Sequence, residues 1–381
     1  MKNGTIPVVM QIIPSLGAGG AEQGCIDVAA ELKNSGAEAL VVSNGGSRLH
    51  ELQRIGAQHI NMKVDSKNPF IMWRNIKKIR KLIQKHQVDI VHARSRAPAW
   101  SAWRACEGTN AHYVTTCHAP YKIQNSAKKF YNSAIAKGER VIAISNYVSE
   151  YLKKNFRLGD NIIRLIHRGV NVQRFHPSLV TAERLVKLTK EWRIPDGHNV
   201  VMLPGRLTRW KGHEDFIKAL SLLKRKDMFG IIIGDDQGRT EYRNELHELI
   251  KECGMEGAIR IVNHCDDMPT AYMLATVVVS ASTEPEGFGR IPIEAQAMGR
   301  PTVATAHGGA METIIPNVTG WHVPPHDPQE MAKAIARALQ LNEQERQALS
   351  ERAIAHVHAH FTKDIMCDKT LDVYAELIRQ K

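Results

Sequence analysis

The sequence predicts an α/β protein built on two doubly wound parallel sheets. Short apolar or β-branched runs alternate with amphipathic segments in the first half, and this alternation begins again at Val200. A chain of 381 residues is long enough for two or three domains that each bury a core. The predicted strands are Val8–Ile13, Ala39–Ser43, Val88–His92, Tyr113–Thr116 and Val141–Ile144, and then Val200–Leu203, Gly230–Ile233, Ala258–Val262, Thr276–Ser280 and Thr302–Ala304.

The charge of the chain is concentrated in its first half. The formal net charge is +12, but residues 1–180 hold 26 Lys/Arg against 11 Asp/Glu, hence +15, whereas the remainder holds 25 against 28, hence −3. Such asymmetry indicates an anionic partner for the first half, either nucleic acid or an anionic membrane surface. A basic face that is merely solvated is the alternative.

The segment Phe70–Lys85 carries much of this charge on an amphipathic pattern. Ile76, Ile79 and Ile83 form an apolar stripe that is expected to pack on the sheet, and Lys and Arg flank the stripe together with Trp73. The basic flank suits an anionic headgroup surface. The same residue types could serve RNA, but no nucleic-acid motif is present, so we expect no nucleic-acid partner.

The six cysteines are scattered without a C-x-x-C pair, which is typical of reduced cytosolic thiols. No apolar run approaches the ~18 residues of a spanning helix. The apolar stretch Ile6–Ile13 is too short for a signal peptide. We therefore expect a cytoplasmic protein, with a peripheral position on the inner face of the membrane as a possibility.

Two acids, Glu286 and Glu294, lie eight positions apart between the predicted strand Thr276–Ser280 and a helix that stops at Gly299. A strand, a glycine loop and a helix N-terminus form a common anion site. Glu294, in the first turn of the predicted helix, is placed to bind the diol of a ribose, and Glu286 to bind a second polyol. The pattern suits a nucleotide-sugar, a phosphate flanked by two polyols. The alternative is that Glu294 only complements the helix dipole.

A second glycine loop follows the first predicted strand. Residues 14–22 contain Gly17, Gly19 and Gly20, and tight glycines at this position let the backbone approach a phosphate. The loop lacks the Gly-Lys-Ser/Thr of a Walker motif, and Glu22 stands where a dinucleotide fingerprint has its third glycine.

Two cations and one histidine follow other predicted strands. Arg206 and Lys211 come shortly after Val200–Leu203, and an arginine with a lysine can hold a diphosphate. His118 lies two residues beyond the predicted strand Tyr113–Thr116, at the carboxyl edge of the sheet, where the binding sites of α/β proteins are built. The alternatives are a solvated surface pair and a structural histidine. His356 and His360 share one helical face but have no third ligand, so no metal site is predicted.

The stretch from Glu286 to Pro301 resembles the Glu-x7-Glu signature of the retaining glycosyltransferases of family 4, also called group 1. Gly19–Gly20, Gly205–Gly212 and His118–Pro120 resemble further landmarks of that family, so the resemblance covers nearly the whole chain. It implies the GT-B fold, in which two Rossmann-like domains face each other across a cleft. It also implies an acceptor-binding domain at 1–180, a nucleotide-sugar-binding domain at 181–361, and a helix at 362–381 that returns to the first domain.

The resemblance also implies roles for individual residues. Glu286, Arg206, Lys211 and His118 would be catalytic, His118 by contacting the donor sugar and the two cations by neutralising the departing diphosphate. No Asp-x-Asp motif is visible, and the family resemblance implies a metal-independent site without a cofactor. The segment Arg168–Asn171 departs from the usual Asn-Gly-Val-Asp, which leaves its role open. The expected donor-binding residues are Gly19, Gly20, Arg206, Lys211, Glu286, Gly287, Phe288, Gly289 and Glu294.

The sequence thus predicts a retaining hexosyltransferase-type enzyme. It would move a sugar from a UDP- or GDP-sugar to a glycan or lipid-linked acceptor in cell-envelope biosynthesis, for example of lipopolysaccharide, with an anionic membrane surface as a further partner. Two alternatives stay open: a nucleotide-sugar epimerase of the same GT-B architecture, and a non-catalytic scaffold that binds membrane or RNA.

Overall fold

The computed structural model describes residues 6–17, 19–238 and 240–379. The chain divides into two compact units. The first comprises the chain up to Arg168 together with the chain from Lys363 onward, and the second is Gly169–Thr362. Each unit is built on one parallel sheet.

The first unit alternates strands and helices in the described part of residues 1–168. Its strands are β1 (Val8–Ile12), β2 (Glu38–Ser43), β3 (Gln58–Asn61), β4 (Ile90–Ala93), β5 (His112–Cys117), β6 (Arg140–Ala143) and β7 (Ile163–Leu165). The helices between them are α1 (Gly20–Asn34), α2 (Leu49–Arg54), α3 (Pro69–His86), α4 (Arg96–Cys106), α5 (Ser126–Asn132) and α6 (Asn146–Phe156). The sheet order is β3-β2-β1-β4-β5-β6-β7.

The second unit repeats this construction. Its strands are β8 (Asn199–Pro204), β9 (Met228–Ile233), β10 (Ile259–Val262), β11 (Val277–Ser280), β12 (Thr302–Thr305) and β13 (Trp321–Val323). Its helices are α7 (Ala182–Glu191), α8 (His213–Leu222), α9 (Thr240–Glu252), α10 (Met268–Leu274), α11 (Arg290–Ala297), α12 (Pro328–Leu339) and α13 (Glu343–His360). The sheet order is β10-β9-β8-β11-β12-β13.

All ten predicted strands are present, with ends that differ from the prediction by at most two residues. The strands β4 and β11 are buried along their whole length, as expected of strands covered on both faces in a parallel sheet. Three strands, β3, β7 and β13, were not predicted. All three lie at sheet edges and have only three or four residues, so they lack the continuous apolar run of an interior strand.

The last helix, α14 (Lys363–Arg379), belongs to the first unit and packs against α1. The Tyr374 hydroxyl is 2.6 Å from His92 Nδ1 in the interior, and His92 Nε2 is 2.7 Å from Thr116 Oγ1. At the surface Glu376 accepts hydrogen bonds from Arg140 and Arg164 at 2.5 and 2.7 Å. The prediction of a C-terminal helix that returns to the first domain is confirmed.

The strand order places one topological switch point in each sheet. It lies between β1 and β4 in the first unit and between β8 and β11 in the second. In open α/β sheets the crevice beyond the carboxyl ends of such strands is where ligands bind. The segments that leave β1, β4, β5, β8 and β11 are therefore the first places to look for a site.

The double ion pair of Glu376 gives a pH-dependent prediction. Hydrogen bonds from Arg140 and Arg164 lower the pKa of Glu376 from 4.5 to about 2. Because the folded-state pKa is depressed, the pair contributes fully above pH ~4.5 and loses its contribution as the pH falls toward 2. We expect Glu376→Gln to lower the free energy of unfolding by about 1 kcal/mol at pH 7, and less at pH 4.

Urea unfolding at several pH values measures this difference. Glu150→Gln is the matched control, since Glu150 is 71% exposed and pairs only with Lys153 among the described residues. A pH-independent difference between Glu376→Gln and the wild type would contradict the assignment.

Candidate active site

A buried ion pair joins the segments that follow β8 and β11 in the second unit. Lys211 Nζ lies 2.8 Å from Glu286 Oε1, and the two side chains are only 10% and 15% exposed. The approach depends on Gly212, which has φ +72° and whose added Cβ would lie 1.9 Å from the Ala281 carbonyl oxygen. A hydrogen bond from Thr283 N to the Trp210 carbonyl oxygen at 2.7 Å ties the same two segments together. The predicted site residues Lys211 and Glu286 are thus brought into direct contact.

Glu286 is held as a carboxylate. Burial by itself would raise its pKa, but the Lys211 ammonium and hydrogen bonds from Lys211 and Ser282 keep the pKa below its ordinary value. Ser282 Oγ donates to the same oxygen, Oε1, that Lys211 contacts. A carboxylate that has lost most of its water is tolerated only with such partners. The pair therefore presents a fixed cation and a fixed anion next to the glycine loop.

The glycine loop Gly287–Gly289 is fixed by close backbone packing. The amide of Gly309 donates to the Glu286 carbonyl oxygen at 2.9 Å, and a Cβ on Gly309 would lie 2.4 Å from the Gly287 carbonyl oxygen. Gly289, with φ +87°, is the N-cap residue of α11. The Phe288 ring is buried and packs edge-on against Phe361 at 5.7 Å, so what Phe288 can offer a ligand is its backbone.

Glu294 is oriented by two side chains of its own unit. Its Oε2 accepts a hydrogen bond from the Tyr272 hydroxyl at 2.9 Å, and its Oε1 pairs with Arg290 at 2.6 Å. Burial, together with Glu294, raises the pKa of the Tyr272 hydroxyl well above its ordinary value, so this hydroxyl remains a donor. The expectation that Glu294 lies in the first helical turn was wrong. Because α11 begins at Arg290, Glu294 lies one turn further along.

Arg206 is exposed to solvent, whereas Lys211 is buried. Arg206 follows β8 after Gly205. It makes no ion pair within residues 6–17, 19–238 and 240–379. An arginine with this freedom can bind an anion bidentately without first breaking an internal contact.

Two pairs of adjacent acids in the second unit, Asp235–Asp236 and Asp266–Asp267, each include a residue with a local structural role. The Asp235 carboxylate accepts from Gln237 N at 2.6 Å, and Asp267 pairs with Arg184 at 2.6 Å and caps α10. In the described part of the chain no group of three or more His, Cys, Asp or Glu is arranged to hold a metal ion.

In the first unit the predicted glycine loop leads into α1. Gly19 is its N-cap residue and Gly20 its first residue, while Ala18 lies outside the described residues. Arg168 donates a hydrogen bond to the Gly20 carbonyl oxygen, and an added Cβ on Gly24 would lie 2.0 Å from the Arg168 guanidinium. Arg168 therefore packs on the first turns of α1.

His118 directly follows β5, at the predicted carboxyl edge. Its Nε2 is buried and has no hydrogen-bond partner in the part of the chain that the structure describes. Burial, with the nearby cations Arg168 and Arg94, holds the pKa of His118 well below its ordinary value. His118 is therefore a neutral imidazole near pH 7, with a buried ring nitrogen that has no partner among the described residues.

Three functional neighbours were not predicted from sequence: Ser282, Tyr272 and Arg290. Arg290 and Glu294 have the i, i+4 spacing of a helical ion pair, so this contact could have been found. Tyr272 reaches Glu294 from another helix, and Ser282 reaches Glu286 across a loop. Neither the contact between two helices nor the contact within a loop can be predicted from the period of a helix or a strand.

Known protein families match both units. The model "Glycosyltransferase Family 4" matches residues 18–174, and the model "Glycosyl transferases group 1" matches residues 187–356. Among curated proteins, the D-inositol 3-phosphate glycosyltransferase of Saccharomonospora viridis is 26% identical over 309 residues, which cover 76% of this chain and 70% of that protein.

Solved structures match over almost the whole length. A glycosyltransferase from Rickettsia africae is 38% identical, with a TM-score of 0.93, and the match covers 99% of this chain and 100% of that one. The Anabaena protein HepE, solved in complex with UDP, has a TM-score of 0.85 at 22% identity over 97% of this chain and 100% of that one, which shows a shared fold. The chain therefore belongs to the family 4, group 1 glycosyltransferases, and it is a glycosyltransferase of the GT-B fold with two Rossmann-like units.

Proposed function

We propose that this enzyme transfers a sugar from a UDP- or GDP-sugar to a glycan or lipid-linked acceptor, with retention of the anomeric configuration. One observation carries the proposal: the second unit holds two oriented carboxylates and a buried lysine around a glycine loop at its switch point. Lys211 contacts Glu286, and Tyr272 contacts Glu294. The lysine and the loop amides are complementary to a diphosphate, and the two carboxylates are complementary to the polyols on either side of it.

Glu294 would hold the ribose of the donor nucleotide. Each carboxylate oxygen has more than one lone-pair direction, so the bonds from Tyr272 and Arg290 leave acceptor capacity for a vicinal diol. Both partners fix the carboxylate before the donor arrives, which lowers the entropy cost of binding. UDP is the first nucleotide to test, because HepE was solved with UDP and with UDP-glucose.

The diphosphate would lie against Arg206, Lys211 and the amides of Gly287–Gly289. When the bond from the sugar C1 to the phosphate oxygen breaks, negative charge develops on the leaving diphosphate. Fixed cations and a helix N-terminus stabilise that charge without reorganisation. Glu286, which keeps Lys211 in place, would also bind a hydroxyl of the transferred sugar. This proposal assigns the neutralising role to side chains and requires no metal ion.

Retention places the acceptor on the same face of the sugar as the leaving diphosphate. The new bond joins the acceptor oxygen to C1, and the departing phosphate oxygen takes the acceptor proton. His118, neutral and with an unpartnered Nε2 in the described part of the chain, would contact the sugar and stabilise its oxocarbenium character. Gly19 and Gly20 would line the donor side of the first unit, which we propose binds the acceptor.

The acceptor is proposed to be a cell-envelope glycan or glycolipid precursor, as in lipopolysaccharide synthesis. The support is the surplus of cations in residues 1–180, where 26 Lys/Arg stand against 11 Asp/Glu. Such a field favours a phosphorylated or membrane-bound acceptor over a neutral one.

The experiment that tests the proposal is a donor panel. UDP-, GDP- and ADP-sugars are incubated with the enzyme, and nucleotide release and nucleotide binding are measured with and without lipid-linked glycans. We expect one donor to bind and to release its nucleotide, and Glu294→Ala to lose both signals. An isomerised nucleotide-sugar formed without acceptor would indicate an epimerase, and no binding of any nucleotide would refute the proposal.

Glu294→Ala is expected to raise the dissociation constant of the donor nucleotide about 10- to 100-fold, because two hydrogen bonds to a charged group are lost. Tyr272→Phe should give a smaller increase of KM with little change of kcat, since Glu294 remains but loses one orienting bond. Tyr242→Phe is the matched control, because Tyr242 is also a buried tyrosine of the second unit and its hydroxyl lies 3.5 Å from His213 Nδ1. Equal effects of the two tyrosine variants would contradict the assignment.

His118→Ala is expected to lower kcat about 100-fold and to leave donor affinity nearly unchanged. Because the pKa of His118 lies well below 6.5, the wild-type kcat should show no loss from protonation of this histidine between pH 8 and 6.5. Rates across this pH range measure both effects. His50→Ala, at an exposed histidine, is the control. An unchanged kcat in His118→Ala would refute its role.

Lys211→Met is expected to cost about 3 kcal/mol of stability, because it leaves a buried carboxylate without its cation. The double variant Lys211→Met/Glu286→Gln should recover much of this stability but none of the turnover. Lys333→Met removes an exposed ion pair with Glu330 and should cost less than about 1 kcal/mol. Denaturant unfolding and donor turnover measure the two readouts. Turnover in the double variant close to that of the wild type would show that the pair is only structural.

A further inference from the structure

We propose that the first unit docks on an anionic lipid bilayer through one surface of α3, α4 and α5, with exposed aromatic rings entering the headgroup layer. This surface, the aromatic–basic face, is defined by Phe70, Trp73 and Lys77 on α3, Trp103 and Arg104 on α4, and Phe130 on α5. It gives the proposed lipid-linked acceptor a place from which to reach the enzyme, and in that respect it rests on the proposed function.

The exposure of three aromatic side chains is the first observation. Phe70, Trp73 and Phe130 are 63%, 51% and 68% exposed, whereas most large apolar side chains of this unit are buried in its core. Rings of this size expose apolar surface that water does not favour. Clustered exposed apolar groups with a polar rim mark interaction surfaces.

The three rings lie on neighbouring helices of the first unit. Helices α3 and α4 are joined by a hydrogen bond from Ser101 Oγ to the Met72 carbonyl oxygen at 3.0 Å, directly beside Trp73. Helix α4 is joined to α5 through Trp100, whose ring lies 4.9 Å from Phe130 and 5.3 Å from Trp103 between centroids. The exposed rings are therefore carried on helices that are in direct contact, α3 with α4 and α4 with α5.

The cations of the same surface are the second observation. Lys77 Nζ lies 3.8 Å from the centroid of the Trp73 ring, and the guanidinium of Arg104 lies 4.5 Å from that of Trp103. The chain segment that contains this surface, Ser66 to Gly138, has 14 Lys/Arg, of which Arg94 is buried, and two acids. Of these acids, Glu107 pairs with Arg104 at 2.9 Å, and Asp89 accepts a hydrogen bond from Val8 N. The charge of this surface is complementary to an anionic bilayer.

The arrangement favours a bilayer over RNA. Single-stranded nucleic acid binds where bases can stack on open aromatic faces along a groove. Here Lys77 and Arg104 stand over the faces of Trp73 and Trp103, and the aromatic side chains are carried on the outside of helices. Cations with long stems around exposed Phe and Trp are the pattern of interfacial helices, where the rings enter the headgroup layer and the charges stay at phosphate level.

The test is sedimentation of the full-length protein with vesicles that contain about one third phosphatidylglycerol in phosphatidylcholine. We expect binding to these vesicles, little binding to pure phosphatidylcholine, and weaker binding when salt rises from about 0.05 to 0.5 M. Trp73→Ser/Phe130→Ser should weaken binding about tenfold or more, and so should Lys77→Glu/Lys81→Glu, where Lys81 is an exposed residue one helical turn beyond Lys77 on α3. Brominated lipids should quench tryptophan fluorescence in the wild type, and less in Trp73→Phe.

Matched controls lie on the second unit. Val186 is as exposed as Trp73, at 51%, and Lys187 and Lys190 are exposed on the same helix. Val186→Ser and Lys187→Glu/Lys190→Glu should bind vesicles as the wild type does. The proposal is overturned if the variants of the aromatic–basic face bind anionic vesicles as the wild type does, or if the wild-type protein does not bind anionic vesicles. Tighter binding to an RNA oligonucleotide that the same variants abolish would likewise overturn it.

Nucleotide binding without vesicles separates this proposal from the donor site. All face variants should bind the donor nucleotide with wild-type affinity, since their substitutions lie on α3 and α5 and the proposed donor site lies in the second unit. Lost vesicle binding with intact nucleotide binding supports the proposal. Vesicle binding by a protein that binds no nucleotide would contradict only the proposed function.

Discussion

The arrangement of the candidate site depends on one buried ion pair, Lys211–Glu286. Two opposite charges that have lost most of their water remain in contact, because separating them would leave each charge buried without a partner. An unpaired buried charge destabilises the folded state by several kcal/mol. The pair connects the segment after β8 with the segment after β11, the two strands that flank the switch point. Ser282 and the amide of Gly309 add hydrogen bonds to the same residue, Glu286. The glycine loop beside it is therefore held in one conformation before any ligand binds.

Glycine residues make this arrangement sterically possible. Gly212 lets the segment after β8 touch the end of β11, and Gly309 lets a later turn lie on the backbone of Gly287–Gly289. At both positions a side chain would occupy the space of a backbone carbonyl oxygen. Position 212 also requires a positive φ, which other residues adopt only with strain. These glycines therefore allow close backbone contacts around Glu286, in the same region where Glu286 pairs with Lys211.

The two units use the same sheet topology for different chemistry. In the first unit, the segments beyond the strands provide a neutral imidazole, His118, under the influence of two guanidinium groups. In the second unit they provide carboxylates, each oriented by a side-chain donor. In each case burial and neighbouring charges set the protonation state. His118 is kept neutral by desolvation and nearby cations, whereas Glu286 is kept ionised by Lys211 despite desolvation.

The sequence predicted those features that depend on local pattern. Interior strands such as β4 and β11 are buried on both faces and appear as continuous apolar runs, so they were found. The edge strand β3, with the sequence Gln-His-Ile-Asn, is stabilised by pairing with β2 and carries no such run. Likewise the spacing of Glu286 and Glu294 was visible, but Tyr272 reaches Glu294 from another helix, and Ser282 reaches Glu286 within an irregular loop that has no helical or strand period. The prediction that Glu294 lies in the first turn of the helix was wrong, because Gly289 is the N-cap residue and α11 begins at Arg290.

The most direct measurement is a crystal structure of the enzyme with a bound nucleoside diphosphate, UDP first. The account predicts that the ribose hydroxyls lie within hydrogen-bonding distance of Glu294 while its contact with Tyr272 is kept. It also predicts that the diphosphate contacts Arg206, Lys211 and the amides of Gly287–Gly289. A nucleotide bound elsewhere on the second unit, with Lys211 and Glu294 not in contact with it, would contradict the account.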